Sequence, residues 1–183
     1  MHVRMATSCC AMALAAGCVS VGAASPTTST GRVKFEIHVP DQVARGVGGP
    51  SNAGRPVSMT FTNKSEQVVW LNGRAKAGPV IGGSMTQVKL TIRGPSGVVP
   101  YECADKGRPA RVSDYVLLRP GEHVEFKDDV LWCFVDLFSH PGVYTAEAVY
   151  HDENPEPPPA PAGAEQVSEE LIAEPTEFKV LAN

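Results

Sequence analysis

Residues 114–150 constrain the fold more than any other part of the chain, because strand alternation and turn chemistry agree there. They hold three strand-like runs and two Pro-Gly pairs, Pro120-Gly121 and Pro141-Gly142. In such pairs proline fixes φ, and glycine accepts the positive φ of a tight turn. The last run, residues 143–150, is largely apolar on both strand faces, as in a strand that is covered on both sides. Tight turns between short runs leave no room for crossover helices, so the stretch predicts antiparallel strands.

The same period of two recurs elsewhere in the chain. Apolar residues alternate in residues 33–39, 57–61, 85–93 and 176–181, and residues 67–71 are a further predicted strand. In the first of these runs Val33, Phe35, Ile37 and Val39 share one face, and His38 falls on the solvent face. Together these runs predict an all-β protein, an immunoglobulin-like antiparallel β-sandwich of about seven to nine strands. We expect Trp70, in the middle of a strand-like run, to be a core residue that packs on a disulfide between Cys103 and Cys133.

Residues 1–24 have the pattern of an export signal. A short positive region ending at Arg4 precedes an apolar run that is too short to cross a bilayer permanently. Residues 14–18, Leu-Ala-Ala-Gly-Cys, resemble the lipobox of bacterial lipoproteins, in which the cysteine is acylated, so Cys18 is a candidate lipidation site. Cleavage after Ala23 or Ala24 is the alternative, since small residues precede both positions. The chain is therefore predicted to be exported, either lipid-anchored in the cell envelope or secreted, with a polar tether at 25–31 and one domain at 32–183.

The cysteine count supports an exported protein. Of five cysteines, Cys9, Cys10 and Cys18 belong to the N-terminal segment, which leaves Cys103 and Cys133. Two cysteines in an oxidising compartment predict one disulfide, and closing this loop stabilises a fold by about 3–4 kcal/mol. Neither cysteine belongs to a CxxC motif or has a histidine at ligand spacing. Zinc and redox chemistry are therefore not expected.

Charge and hydropathy exclude two classes of partner. The formal net charge is −4, whereas nucleic-acid binding needs clustered lysine and arginine. After residue 24 there is no long apolar segment, so the expected membrane contact is limited to a lipid at the N-terminus.

Two loops are candidates for contact with a protein partner. Residues 72–84 are basic at one end and apolar at the other, so Arg74, Lys76, Val80 and Ile81 are predicted partner-facing residues. An ordered crossover between sheets is the alternative interpretation of this loop. Residues 152–169 are acidic and proline-rich, and we expect an extended, polyproline-like loop that leads to the last strand without contributing to a core.

Three acids raise the question of calcium. Asp128, Asp129 and Asp136 lie close together in sequence, but their spacing matches no EF-hand loop. We therefore predict no metal ion and no cofactor.

The central part of the chain resembles a known family. The similarity covers roughly residues 33–150 and is to the immunoglobulin-like β-domain that precedes the catalytic part of deuterolysin-type, peptidyl-lysine-cleaving zinc metalloendopeptidases. It rests on Val99-Pro100-Tyr101, Lys106-Gly107-Arg108-Pro109, Ser113-Asp114-Tyr115-Val116, Leu118-Arg119-Pro120-Gly121-Glu122, Asp136-Leu137, Gly142-Val143-Tyr144-Thr145 and Tyr150. In that family the zinc ligands lie on an HExxH helix of a later domain, and this sequence contains no HExxH. The resemblance implies a stand-alone relative of an accessory domain, and no peptidase residue carries over.

These observations favour a non-catalytic binding or structural module with an unknown protein partner. The alternative is a proteinaceous peptidase inhibitor or a protease-associated accessory domain. An enzyme is not expected, because serine, histidine and aspartate are scattered over predicted turns rather than grouped as nucleophile, base and orienting residue.

Overall fold

The computed structural model describes residues 31–44, 56–74, 77–78, 87–103, 110–134, 136–152, 154 and 156–182. Within them the chain is an all-β sandwich, and eight of its strands have four or more residues. These are β1 (Val33–His38), β3 (Val57–Asn63), β4 (Val68–Asn72), β6 (Val88–Gly94), β8 (Tyr115–Leu118), β9 (His123–Asp128), β10 (Gly142–Tyr150) and β13 (Thr176–Val180). The shorter strands are β2 (Gln42–Val43), β5 (Ala77–Gly78), β7 (Gly97–Val98), β11 (Ala164–Gln166) and β12 (Leu171–Ile172). The predicted fold class is confirmed.

The strands form three sheets, each named here by its central strand. The β3 sheet has the order β1-β3-β9, and the β4 sheet has the order β11-β4-β8. The β10 sheet has the order β2-β13-β10-β6-β5, with β12 also paired to β10 and β7 to β6. Because β1 belongs to one sheet and β2 to another, the chain changes sheets within a few residues after His38.

Alternation along the strands builds the core as predicted. The inward residues of β1, Val33, Phe35 and Ile37, are buried, and Lys34, Glu36 and His38 are exposed. In β10 the tyrosines and alanines at 144–150 are buried, and the residues between them are partly or fully exposed. Strand β10 pairs with β6 and β13 along its two edges. The prediction that both of its faces are covered is not met along the whole strand, because Val143 is 58% exposed.

Aromatic rings join the β3 sheet to the β10 sheet. Phe35 stacks on Phe61 within the β3 sheet at 4.7 Å, and Tyr150 of the β10 sheet meets the Phe61 ring edge to face at 4.9 Å. These arrangements are favourable for ring pairs beyond their burial. Residues from all three sheets belong to one continuous buried cluster, so the layers share a single hydrophobic core.

Asn63 joins the β3 and β4 sheets. Its side chain is fully buried, and its amide nitrogen donates to the carbonyls of Gln67 at 2.7 Å and Leu118 at 2.9 Å. Its carbonyl oxygen accepts from the backbone N–H of Ser65 at 2.9 Å. These hydrogen bonds offset the cost of burying the amide, and they fix the corner where β3 leads into β4.

Two expectations need correction. Pairing is not wholly antiparallel, because β2 with β13, β5 with β6 and β11 with β4 run parallel. These parallel pairs involve strands of two or three residues, which are too short to give a signal in the sequence. The acidic, proline-rich segment 152–169 also contributes to the core, since it contains β11 and the buried residues Asn154 and Val167.

The described residues include no helix of the length and apolarity that a bilayer crossing requires.

Candidate functional site

Strand β1 is an edge strand whose backbone groups alternate between a paired and an open side. The N–H of Lys64 donates to the Arg32 carbonyl at 2.8 Å. In this register the backbone N–H and C=O groups of the even-numbered residues of β1 form the hydrogen bonds with β3. Antiparallel ladders place successive residues in opposite hydrogen-bonding directions. The N–H and C=O groups of Val33, Phe35 and Ile37 therefore point to the open side of β1.

One hydrogen bond reaches that open side from the rest of the described chain. The hydroxyl of Thr176 donates to the Ile37 carbonyl at 3.1 Å. In the described structure, nothing bonds in this way to Val33 or Phe35. Unpaired backbone groups cost free energy when water is excluded, and an open edge of this kind is a template for pairing with a further strand.

A groove of about 520 Å³ runs along this edge. Its walls are residues 33–37 of β1, residues 147–149 of β10, and residues 171–176, which include β12. The inner wall is apolar, with Phe35, Ala148, Leu171 and Ala173 all buried. Ile172 stands at the mouth with 62% of its surface exposed. This volume lies within the range of pockets that bind small molecules or single peptide segments.

The rim of the groove is charged. Glu36, Glu147 and Glu174 line it together with Lys34. The Lys34 ammonium lies 2.6 Å from the Glu36 carboxylate. The pKa of Lys34 is raised, first by this hydrogen bond and also by the charge of Glu174. Negative charge is therefore in excess at the mouth.

The outer face of the β4 sheet differs sharply from this edge. Val69 and Leu71 belong to the main core, so Trp70 points to the opposite face of β4. There its ring stacks on Tyr115 at 5.4 Å, and both side chains are buried. We expected Trp70 to pack on the disulfide, whereas its ring partner in the structure is Tyr115.

We call residues 152–169 the strap, because its described part crosses this outer face. Near its start, Asp152 accepts a hydrogen bond from the Tyr115 hydroxyl at 2.7 Å. Further along, residues 161–164 share a small pocket with Leu117 and Val68. The chain then returns as β11 beside β4, where the Val167 N–H donates to the Trp70 carbonyl at 3.0 Å.

A polar latch holds the start of the strap. The side-chain amide of Asn72 donates to Asp152 Oδ1 at 2.8 Å, and that of Asn154 donates to the Tyr115 hydroxyl at 3.2 Å. Burial raises the pKa of Tyr115, and the Asp152 carboxylate raises it further. The Tyr150 hydroxyl donates to the Asn72 carbonyl at 3.4 Å, and burial raises the pKa of Tyr150 well above its usual value. The latch is thus a network of neutral phenols and amides around one carboxylate.

The residues that the sequence singled out have separate positions. Arg74 follows β4, and its N–H donates to Asn72 Oδ1 at 3.1 Å, but Lys76, Val80 and Ile81 lie outside the described residues, as does Cys18. The loop prediction is therefore untested. Asp128 is partly buried and Asp136 is exposed. No group of three or more histidine, cysteine, aspartate or glutamate side chains that could hold a metal ion occurs in the described part of the chain.

Cys103 and Cys133 form the predicted disulfide, with their Cα atoms 5.1 Å apart. The bond links the segment after β7 to the 3-10 turn Leu131–Cys133. Next to it, the Glu102 N–H donates to the Cys133 carbonyl at 2.9 Å, and the rings of Tyr101 and Phe134 meet edge to face at 5.2 Å. These contacts hold the two disulfide-linked segments together.

No family model matches the chain, and no curated protein sequence matches it significantly. The resemblance to the deuterolysin-associated domain therefore stays a prediction from the quoted residues.

Sequence reasoning did not find the groove. Its walls come from three separate segments, and a strand's place at a sheet edge depends on long-range pairing. The available signal was the clean alternation of residues 33–39, which is typical of a half-buried strand and does not say whether that strand has one neighbour or two.

Proposed function

We propose that this protein is a non-catalytic, exported binding module that accepts an extended segment of a partner protein along the open edge of β1. The observation that carries this proposal is the pairing pattern of β1. Its groups at Val33 and Phe35 face a groove and have no hydrogen-bond partner among the described residues. Strand addition to a sheet edge is a recurring mode of peptide recognition, in which backbone hydrogen bonds supply affinity and side-chain pockets supply specificity.

The structure around β1 suits this role. The strand is anchored on its other side by six residue pairs with β3, and its one inward ring, that of Phe35, packs on Phe61 and Tyr150. An added strand would thus meet a rigid template and would bear most of the ordering cost itself.

Amide hydrogen exchange tests the proposal at single residues. We expect a terminally blocked pentapeptide of alternating valine and threonine to slow exchange at the Val33 and Phe35 amides of the full chain. The amides of Lys34 and Glu36, which pair with β3, are the internal controls and should change little. The same peptide with proline at its central position loses a backbone donor and should bind more weakly. If saturating peptide leaves the Val33 and Phe35 amides unchanged, the proposed function is wrong.

Export and anchoring form a separate part of the proposal. We infer from the lipobox-like residues 14–18 that the chain is a lipoprotein acylated at Cys18. Intact mass of the protein from membrane and soluble fractions checks this. A membrane-bound form that begins at acylated Cys18, and is lost in a Cys18→Ser variant, is expected. A soluble form that begins near Ser25 would mean secretion instead.

The peptidase-inhibitor alternative is the case in which the partner strand belongs to a peptidase. It predicts stoichiometric inhibition of a purified peptidase, and a panel of peptidases checks it.

A further inference from the structure

Building on the proposed function, we propose that the strand accepted by the groove carries lysine or arginine side chains alternating with apolar ones. The groove that the structure describes has two chemically different sides, and an extended peptide has two faces that match them.

The acidic side faces outward. Glu36 lies on the exposed face of β1, and Glu147 and Glu174 line the same groove. Two cations are already present, since Lys34 binds Glu36 and Arg93 binds Glu147 at 3.0 Å. The three carboxylates and two cations together carry one excess negative charge. Arg93 is counted through its bond to Glu147 and does not itself line the groove. A basic side chain beside Glu174 would complete this set.

The apolar side faces the opening between the sheets. Leu171 and Ala173 form its buried wall. Ile172 and its cross-strand partner Val149 lie on the opposite, outward face, which they share with Glu147. In a strand added to β1, the side chains next to Phe35 would point to this wall, and the intervening ones would lie beside Lys34 and Glu36.

Other occupants fit these features less well. An acidic strand would add to the negative excess that Glu174 leaves beside the Lys34–Glu36 pair, and like charges opposed across a sheet are unfavourable. A second copy of this chain carries a net charge of −4 and brings no general electrostatic attraction. The acidic, proline-rich strap is unsuited as well, because proline cannot donate to a ladder.

Three blocked pentapeptides distinguish the possibilities on the full chain. Each alternates valine with one other residue, which is lysine, threonine or glutamate. We expect the lysine peptide to bind most tightly and the glutamate peptide least, with a difference of roughly five- to thirty-fold at low salt, because exposed charge pairs contribute modestly and are screened. The difference should shrink as salt is added.

Two matched variants locate the effect. Ile172→Lys adds a cation at the groove mouth, and Val112→Lys adds one at a site outside the groove with the same 62% exposure. We expect the first to weaken binding of the lysine peptide and the second to leave it unchanged. Because both side chains are exposed, both variants should unfold at nearly the temperature of the parent protein.

The outcomes separate this inference from the proposed function. Equal affinity for the three peptides, or tightest binding of the glutamate peptide, overturns the inference and leaves strand addition intact. Binding of none of them overturns both. Concentration-dependent self-association that protects the Val33 and Phe35 amides without peptide would show that a second copy is the occupant, and the inference would be wrong.

Discussion

The open edge of β1 and the strapped face of the β4 sheet differ in what covers their strands. Beside β4 the chain supplies its own covering, because β11 pairs with the strand and the latch holds the strap at Tyr115. Beside β1 the corresponding backbone groups at Val33 and Phe35 face a groove, with one side-chain bond from Thr176 at its end. Under the proposed function, the strand edge that the described chain leaves open is the surface where a foreign strand adds.

The two regions also differ in where their polar groups lie. Those of the latch are buried or partly buried and are bonded to one another, so they contribute to stability. Those at the groove are backbone groups and exposed carboxylates, which contribute little to stability and are available for binding. Changes on the strapped side should therefore lower stability, whereas changes at the groove should alter binding.

The largest effect is expected when the latch loses its carboxylate. Asp152→Ala removes the acceptor for the Tyr115 hydroxyl, the Asn72 amide and the Asn154 N–H. Because all three donors belong to buried residues, we expect a loss of about 2–4 kcal/mol in the free energy of unfolding, measured with urea. Glu174→Ala at the groove is the matched control and should change stability by less than about 0.5 kcal/mol. Equal losses in the two variants would contradict the contrast between the regions.

Part of this contrast could be predicted from the sequence, and part could not. Alternation identified the inward residues of β1 and β10, and counting identified the Cys103–Cys133 pair. The polar, proline-rich composition of the strap predicts an extended loop, yet Asp152 and Asn154 take buried or partly buried positions through partners on β4 and β8. These partners are distant in sequence. Whether β1 has one neighbouring strand or two also depends on long-range pairing, which the sequence does not show.

A second effect should appear at alkaline pH. The pKa values of Tyr115 and Tyr150 are raised in the folded state, mainly by burial, so folding favours the neutral phenols. The stability that the two neutral phenols contribute is fully present below the unfolded pKa of about 10. It is lost as the pH rises above that value. Each tyrosine should then lower the free energy of unfolding by about 1.4 kcal/mol per pH unit.

Variants assign this slope to the strapped side. Tyr115→Phe should remove one tyrosine's share of the alkaline slope, measured by urea unfolding between neutral pH and pH values above 10. Thr176→Val, at the groove, should leave the slope unchanged. An unchanged slope in Tyr115→Phe would mean that this phenol does not govern the alkaline loss.

A smaller effect is expected from the bond that closes one end of the groove. Thr176→Val keeps the shape of the side chain and removes its hydroxyl, which donates to the Ile37 carbonyl. We expect a loss of about 0.5–1.5 kcal/mol in unfolding free energy. Affinity for a strand peptide should be equal or higher, because the open side of β1 loses its one side-chain competitor among the described residues. A marked loss of affinity would place Thr176 in the binding surface instead.

The smallest effect concerns Arg32, which joins the two regions. It lies just before β1, and its guanidinium binds Glu165 on β11 and Glu169 in the strap, the latter at 3.0 Å. Its side chain is 41% exposed, so Arg32→Gln should cost no more than about 1 kcal/mol, and less at high salt. The informative readout is peptide affinity, since the groove walls do not include Arg32. If Arg32→Gln weakens peptide binding while stability is nearly unchanged, the strap and the β1 edge are coupled; if binding is unchanged, the open edge works independently of the covered face.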